Sequence, residues 1–299
     1  MEIRPLDTDT AAGAADLFRE LQRGVVTTAA FLVHREASTP AWARRLSLVA
    51  VAGDSVVGWG SAGLQWPGGP PGQARVWVAV APSHRGRGLG TELAERVERH
   101  AIAAGAAKLS TLVENDPAGV RFAERRSYRE TGGEIVSALE PGPVDVSSRT
   151  GFEVVKLSRL RDEERRLFQL WCDAGAFPPV ASGGGPTFDE WRRFILENPL
   201  LEPGGSFTVL AHGRPIGLAW LLVDGEHRRA ENEWTATLPE FRGQGLARLA
   251  KLHTIRWAAE NGIREIVTAS DEDNVPMLEL NRSLGYRTLW RRRFFARSL

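Results

Sequence analysis

The hydrophobic and polar positions along this chain run through the same pattern twice. In the first half, valines alternate with other residues over 74–81, which predicts a strand. Apolar residues then recur every four positions over 89–101, which predicts an amphipathic helix. The second half repeats this succession with a strand near 231–238 and a helix that ends at Asn261. Along its whole length, each half predicts the order helix, helix, three strands, helix, strand, helix and strand.

A sequence repeat underlies the two patterns. Aligned without a gap, RGRGLG from Arg85 falls on RGQGLA from Arg242, 157 residues later. With one residue inserted in the later copy, Tyr128 also meets Tyr286. A period of this length indicates a duplicated domain, since solenoids repeat every ~20–50 residues.

The segment that joins the two copies has the composition of a linker. Glu140–Arg149 contains two prolines, a glycine and two serines. We therefore predict a first domain over residues 1–140, a linker over 141–150 and a second domain over 151–299. Two glycine-rich stretches, 67–72 and 182–186, are interpreted as flexible connections.

Composition narrows the classes of function. The chain has 38 Lys and Arg against 37 Asp and Glu, which argues against a nucleic-acid or anionic-membrane binder. The single cysteine, Cys172, excludes an intramolecular disulfide and a Cys-rich metal site, and we interpret it as a small buried hydrophobe. The sequence shows no metal-ligand spacing, signal peptide or membrane span, so we expect a cytoplasmic protein without a bound metal.

Both copies centre on the form Arg-x-x-Gly-x-Gly/Ala between a strand and a helix. Small residues allow a tight turn and a close approach, and the loop N–H groups point to the same place as the positive end of the helix. This arrangement is typical of a pyrophosphate site, to which the loop arginines add charge-assisted hydrogen bonds. For one isolated loop a plain strand–helix turn is the better explanation, but two copies in the same context favour the ligand site. Neither loop has the spacing of a Rossmann or Walker motif.

The chain resembles a tandem member of the GNAT superfamily of acyl-CoA-dependent N-acyltransferases over almost its whole length. The resemblance is strongest in LPEFRGQGLA from Leu238 and in NVPMLELNRSLGY from Asn274, which is similar to the family's last helix and closing Gly-aromatic pair. The first copy matches well in its loop, APSHRGRGLG from Ala81. It matches less well at its end, DPAGVRFAERRSY from Asp116.

The resemblance implies a mixed α/β (α+β) fold of two tandem domains, each with a mostly antiparallel, splayed sheet flanked by helices. The pantetheine arm of acetyl-CoA then lies in the gap between the central strands, and the loop amides hold the pyrophosphate. The strand before each loop offers its backbone to the acetyl carbonyl. The implied cofactor-binding residues are Val78, Ala79, Val80, Arg85, Gly86, Arg87, Gly88, Gly90 and Thr91 in the first copy, and Thr235, Ala236, Thr237, Arg242, Gly243, Gln244, Gly245, Leu246, Ala247, Arg248 and Asn274 in the second.

For catalysis, the resemblance implies a carboxylate on the strand before the glycine loop, which takes a proton from the acceptor amine. The second copy has Glu231 and Glu233 there, on one face of an alternating strand, where the gapless alignment gives the first copy Ala74 and Val76. We therefore predict that the second copy is catalytic, with a slight preference for Glu231 as the base. A solvated strand start explains either glutamate alone equally well.

Many members of this family also use a tyrosine, seven residues after the asparagine that begins the last helix, as the acid for the departing thiolate. That position is Asn281 in the second copy and Ala123 in the first, so this acid is absent. The leading hypothesis is an acetyl-CoA-dependent N-acetyltransferase that acts on the amine of a small molecule. A non-catalytic acyl-CoA sensor or scaffold is an alternative, and a protein N-terminal or lysine acetyltransferase is a third.

Overall fold

A computed structural model describes residues 1–65, 71–146, 148–175 and 185–299, which form one sheet with helices on both faces. The first half contains β1 (Glu2–Pro5), α1 (Thr8–Leu21), α2 (Ala29–Ser38), β2 (Leu46–Ala52), β3 (Ser55–Leu64), β4 (Gln73–Val80), α3 (Leu89–Ala103), β5 (Lys108–Val113), α4 (Pro117–Arg125) and β6 (Arg129–Leu139). The second half contains β7 (Glu153–Lys156), α5 (Glu164–Asp173), α6 (Phe188–Trp191), β8 (Phe207–Ala211), β9 (Arg214–Asp224), β10 (Arg229–Thr237), α7 (Leu246–Glu260), β11 (Glu265–Asp271), α8 (Val275–Ser283) and β12 (Arg287–Ser298).

The predicted succession of helices and strands is confirmed in both halves, and the mixed, mostly antiparallel fold class with it. Each half begins with one short strand that the sequence does not predict, β1 or β7. Four residues show too few alternations to distinguish a strand from an extended loop. In the second half, α6 continues as a π-helical turn over Arg192–Leu196.

The two halves exchange their last strands. Strand β12 lies between β5 and β6, and β6 in turn pairs with β11. The full strand order is β1-β2-β3-β4-β5-β12-β6-β11-β10-β9-β8-β7. Each half therefore completes the sheet of the other, and one continuous sheet carries the site residues of both.

Both halves contain a place where two neighbouring parallel strands part. Strands β4 and β5 pair only over 73–75 and 108–110, and strands β10 and β11 pair only over 229–231 and 265–267. Beyond these residues the hydrogen-bonded ladder stops, and each strand pair opens toward the glycine loop that follows it. We call these openings the first gap (between β4 and β5) and the second gap (between β10 and β11). They are the splayed strands that the family resemblance implies.

The cores follow the sequence pattern with one exception. The apolar stripe of α3 over 89–101 is buried, and Tyr128 and Tyr286 are buried as core aromatics. On α5, Leu170 and Trp171 face the core. Cys172 therefore points outward and is exposed. The interpretation of Cys172 as a buried hydrophobe is therefore wrong.

No helix within the described ranges is long and apolar enough to cross a membrane. The glycine-rich stretches predicted at 67–72 and 182–186 lie mostly outside the described residues.

Candidate active site

The two glycine loops, here called the first loop (residues 85–90) and the second loop (residues 242–247), have the same backbone. Four glycines have φ between 74° and 87°: Gly86, Gly88, Gly243 and Gly245. Side chains rarely adopt this left-handed region, so glycine permits the turn. The second of these glycines in each loop directly precedes a helix whose first turn has no side-chain cap. The N–H groups of that turn are therefore available to an anionic ligand.

The leading arginine of each loop is tied to the strand before it. The Arg85 Nε donates to the carbonyl of Val80 at 2.9 Å, and the Arg242 Nε donates to the carbonyl of Thr237 at 3.2 Å. Arg85 also pairs with Asp116, with 3.0 Å between Nη1 and Oδ2. These bonds brace both loops against their strands in the same way. A contact between either arginine and phosphate stays a prediction.

A cavity of about 470 Å³ runs through the first gap. Its lining includes residues of the first loop, residues 76–80 of β4, and Leu21 and Gln22. Eight of the nine first-half candidates border this one space, and the exception is Arg87. The cavity is of ordinary size for a small-molecule site, which spans roughly 300–1,000 Å³.

The second loop has a neighbour that the first loop lacks. Nη1 of Arg149, in the predicted linker, donates to the carbonyl of Gln244, and a Cβ placed on Gly245 would lie 2.8 Å from that nitrogen. Around the matching Gly88, nothing lies within 4 Å of such a Cβ. The linker thus brings a guanidinium group to the second loop. Spacing along the chain gave no sign of it, because the contact depends on the path of the linker.

Glu231 and Glu233 lie together at the start of the second gap. Glu231 pairs with Val267 at the last rung before β10 and β11 separate, and it is 4 % exposed. Its Oε2 accepts a hydrogen bond of 2.9 Å from the backbone N–H of Val26, in the loop between α1 and α2. Burial, and then the adjacent carboxylate of Glu233, raise the pKa of Glu231 well above its ordinary range. Glu233 itself is exposed.

The strand register corrects the match between the two copies. A β-bulge interrupts β10 between Asn232 and Trp234, so Glu233 is an extra residue that β4 lacks. Glu231 lies opposite Leu222 in the β9–β10 ladder, as Arg75 lies opposite Gly63 in the β3–β4 ladder. The first-half counterpart of Glu231 is therefore Arg75, and its assignment to Ala74 is wrong.

An ion-pair network connects the two gaps. Arg292 on β12 is buried, its Nε donates to Glu114 at 2.8 Å, and it also bonds Glu134 on β6. Arg75 lies near Glu134 and Glu233 and interacts electrostatically with both. Sequence reasoning misses this network, since only the strand exchange brings these residues together.

The remaining second-half candidates border the second gap or begin a helix beside it. Thr235, Ala236 and Thr237 are half-buried on β10 after the bulge, and Thr235 Oγ1 donates to Oδ1 of Asn232 at 3.0 Å. Asn274 caps α8, since its side chain accepts a hydrogen bond from the N–H of Met277 at 3.3 Å. That role explains Asn274 without a ligand.

The position of the family's tyrosine is part of a buried polar pair. Asn281 Oδ1 accepts a hydrogen bond of 2.6 Å from Nζ of Lys251 on α7, and both residues are buried. Burial lowers the pKa of Lys251 to about 7.

Comparison with known proteins matches both halves to one family. The family described as Acetyltransferase (GNAT) family matches residues 15–128 and 160–286, together well over half of the chain. Curated relatives include the mycothiol acetyltransferase of Frankia casuarinae (strain DSM 45818 / CECT 9043 / HFP020203 / CcI3), 28% identical over 224 residues, covering 71% of this chain and 64% of that protein. The mycothiol acetyltransferase of Thermobifida fusca (strain YX) is 28% identical over 237 residues, covering 71% of each chain. The chain thus spans just under two thirds of the Frankia protein's length.

Solved structures share the whole arrangement. A tandem GNAT protein from the clavulanic acid biosynthesis pathway superposes with a TM-score of 0.76 at 19% identity, covering 99% of this chain and 98% of that one. A GCN5-related N-acetyltransferase from Sphaerobacter thermophilus gives 0.71 at 17% identity, covering 99% and 95%. At these identities the likeness concerns the fold, and it confirms the tandem reading of the repeat.

Proposed function

Because this chain belongs to the acetyltransferase (GNAT) family, with one copy of the domain in each half, we propose that it moves an acetyl group from acetyl-CoA to the amine of a small molecule, with the chemistry in the second half. The observation that carries this proposal is the carboxylate pair Glu231–Glu233 at the start of the second gap. Acetyl transfer to an amine needs a group that removes a proton from nitrogen, and this pair can do so.

The comparison with the first half supports the choice of the second. The counterpart of Glu231 is Arg75, which carries no acceptor lone pair and stays protonated in proteins. A base at that point is therefore present in one half and replaced by a cation in the other.

Within the pair, exposure assigns different parts to the two glutamates. Glu231 is buried and held by the N–H of Val26, whereas Glu233 is exposed and open to an incoming amine. Two carboxyl groups in contact share a proton more easily than both ionise, which keeps a proton acceptor near neutral pH. Spacing favours Glu231 as the base, and exposure favours Glu233 as the group that touches the amine.

The rest of the second half suits the acyl donor. The amides at Gly243–Ala247, with Arg149 beside them, fit a diphosphate, and the backbone of Thr235–Thr237 borders the gap where a thioester would lie. The first-half cavity, bordered by the first loop, fits a second molecule of the same class. Binding stoichiometry separates one site from two.

The names of the relatives suggest where to look for the acceptor. Several curated relatives are mycothiol acetyltransferases at 24–28% identity, so the unacetylated amine precursor of mycothiol is the first acceptor to test. Other small amines form the rest of the panel, because identity at this level does not carry a substrate across.

The test incubates the full chain with acetyl-CoA and this panel and follows the release of CoA thiol. We expect release that depends on an amine and that falls sharply in the Glu231→Gln/Glu233→Gln double variant, while acetyl-CoA still binds. Binding without amine-dependent release would support a sensor or scaffold instead. Release with peptide amines alone would support a protein acetyltransferase.

A further inference from the structure

Helix α7 carries a lysine whose burial the fold alone does not explain. Lys251 is 1 % exposed, and beyond its hydrogen bond to Asn281 its Nζ lies 4.9 Å from the centroid of the Tyr286 ring. Asn281 Nδ2 in turn donates to Oγ of Ser270 on β11 at 3.3 Å. Lysine is almost never fully buried unless it is paired with an acidic group, and among the described residues no charged group contributes to the shift of its pKa.

The first half shows what these positions border. The repeat matches Lys251 with Ala94 and Asn281 with Ala123, and both alanines line the cavity in the first gap. Their small side chains leave that cavity open. In the second half the matching positions hold an amine and an amide, which are hydrogen-bonded to each other and, through Asn281, to Ser270 of β11, one of the two strands that border the second gap.

We propose that Lys251, oriented by Asn281, donates a proton to the thiolate that leaves during acetyl transfer. This inference rests on the proposed function. It assigns to Lys251 the role of the acid that a tyrosine plays in many members of the family and that no tyrosine fills here. The amine nitrogen forms a bond to the thioester carbon, and the C–S bond breaks with its electron pair on sulfur. One Nζ proton of Lys251 goes to that sulfur and gives the free thiol. The Glu231–Glu233 pair takes the proton of the amine, and solvent exchange then restores both groups.

The chemistry of the surroundings agrees with this direction of transfer. Burial alone holds the pKa of Lys251 at about 7, whereas a free thiol has a pKa of about 8.5, so the proton moves downhill from ammonium to thiolate. The groups packed against Nζ are Asn281 from α8, bonded to Ser270 of β11, and the Tyr286 ring that precedes β12. Burial raises the pKa of the Tyr286 hydroxyl well above its ordinary range, so it stays neutral.

A titration of the unaltered protein tests the proposal directly. The chain has three lysines, Lys108, Lys156 and Lys251, so isotope-labelled lysine gives three side-chain NMR signals. Lys108→Met and Lys156→Met, both at exposed positions, assign two of the signals and leave the third to Lys251. The wild type is then titrated free, with CoA and with desulfo-CoA, which lacks the sulfur.

A thiolate next to the ammonium group stabilises its charged form. We expect CoA to raise the pKa of Lys251 by about one unit or more relative to desulfo-CoA, since an opposite charge within hydrogen-bonding reach shifts a pKa by about 1–3 units. Equal pKa values of Lys251 in the two complexes would overturn the proposal. Because this comparison uses the wild type, it holds even where a variant fails to fold.

Turnover gives the second readout, with Lys156→Met as the matched control on an exposed lysine. Lys251→Met should lower kcat by about 10- to 100-fold, the low end of general acid catalysis or less, because CoA is a tolerable leaving group. Its KM for acetyl-CoA should change little, and its rate should lose the decline above pH 7 that a deprotonating Lys251 imposes. A purely structural lysine would lower the folded fraction and leave the pH profile of the remaining activity unchanged.

The outcomes separate this inference from the proposed function. If the wild type binds acetyl-CoA at the second loop and transfers acetyl, an unresponsive Lys251 refutes the acid alone. If the wild type releases no thiol with any amine, the proposed function fails first, and the acid fails with it.

Discussion

The two halves of this protein are alike where a nucleotide would bind and unlike where acetyl transfer would occur. Both loops have two glycines with φ between 74° and 87°, and in both the leading arginine bonds to the strand before the loop. Both also follow a pair of strands that parts after three residues. At the gap itself the wall and the strand start differ. The first half has Arg75, Ala94 and Ala123, and the second half has Glu231, Lys251 and Asn281.

This difference indicates how a duplicated domain divides its work. The loop and the gap depend on backbone geometry, which both copies retain. Acid–base chemistry depends on a few side chains. In the second copy these are two ionisable groups and an amide, and in the first they are apolar or permanently cationic. The first copy still contributes to the second site, because Val26 binds Glu231 and β6 borders β11.

The largest effect is expected from a matched pair of loop variants. Gly245→Glu places bulk and negative charge where a diphosphate approaches, and it should abolish acetyl-CoA binding at the second loop and turnover with it. Gly88→Glu makes the same change at a similar positive φ in the first loop, so the backbone strain is similar, although only the side chain at 245 also meets Arg149. Calorimetric binding and thiol release measure both.

The first-loop variant should remove any second molecule of acetyl-CoA and leave the rate within a few-fold of wild type. A reversed outcome, in which Gly88→Glu is inactive and Gly245→Glu retains its rate, would show that the first copy does the chemistry.

A smaller effect is expected at the second loop from Arg149→Ala. The guanidinium group beside Gln244 and Gly245 can bind a diphosphate, but it is exposed, so its loss should weaken acetyl-CoA binding by about 3- to 10-fold. Acetyl-pantetheine lacks the diphosphate, so its binding should be the same in the wild type and in Arg149→Ala. Tighter binding of acetyl-CoA to the variant would mean that Arg149 obstructs the loop.

The smallest effect concerns stability. The pKa of Glu231 is raised in the folded protein. Its contribution to the free energy of unfolding is therefore fully present below the ordinary carboxyl pKa and is lost as pH rises through the raised value. Glu231→Gln keeps an acceptor for the Val26 N–H and removes this loss. The difference between the Tm of Glu231→Gln and the Tm of wild type should therefore grow in favour of the variant by about 2–4 °C from pH 4 to pH 8. Exposed Glu153→Gln is the control and should show no such change.

The sequence predicts those parts of the site that are local in the chain. Each loop, its helix and the strand before it lie within about thirty residues, and glycine spacing and apolar periodicity identify them. The exchange of β6 and β12 escapes this reasoning, since alternation shows that a segment is a strand but not which strand it pairs with. The bulge at Glu233 escapes it for a related reason: one extra residue shifts the match from Ala74 to Arg75 and leaves no mark in a gapless alignment.

Contacts between distant segments are the other class that sequence does not reveal. Val26 on Glu231, Arg149 on Gln244 and Lys251 on Asn281 each join residues at least 30 positions apart. The sequence does carry one signal for Lys251, because this lysine falls among the apolar positions of α7. A lysine on the exposed face of a helix gives the same pattern, so the sequence alone does not show that Lys251 is buried.

The central claim is that the second half does the chemistry with a carboxylate base, and a pH–rate profile tests it most directly. The profile compares wild type, Glu231→Gln, Glu233→Gln and Arg85→Ala with an acceptor amine whose pKa lies well above 7. At neutral pH such an amine is mostly protonated, so losing the base should lower turnover ~10²–10⁴-fold, and the loss should shrink as pH rises. Acetyl-CoA affinity should stay nearly unchanged in both glutamine variants, and Arg85→Ala should remain within a few-fold of wild type. An inactive Arg85→Ala beside two fully active glutamine variants would contradict the account and assign the chemistry to the first half.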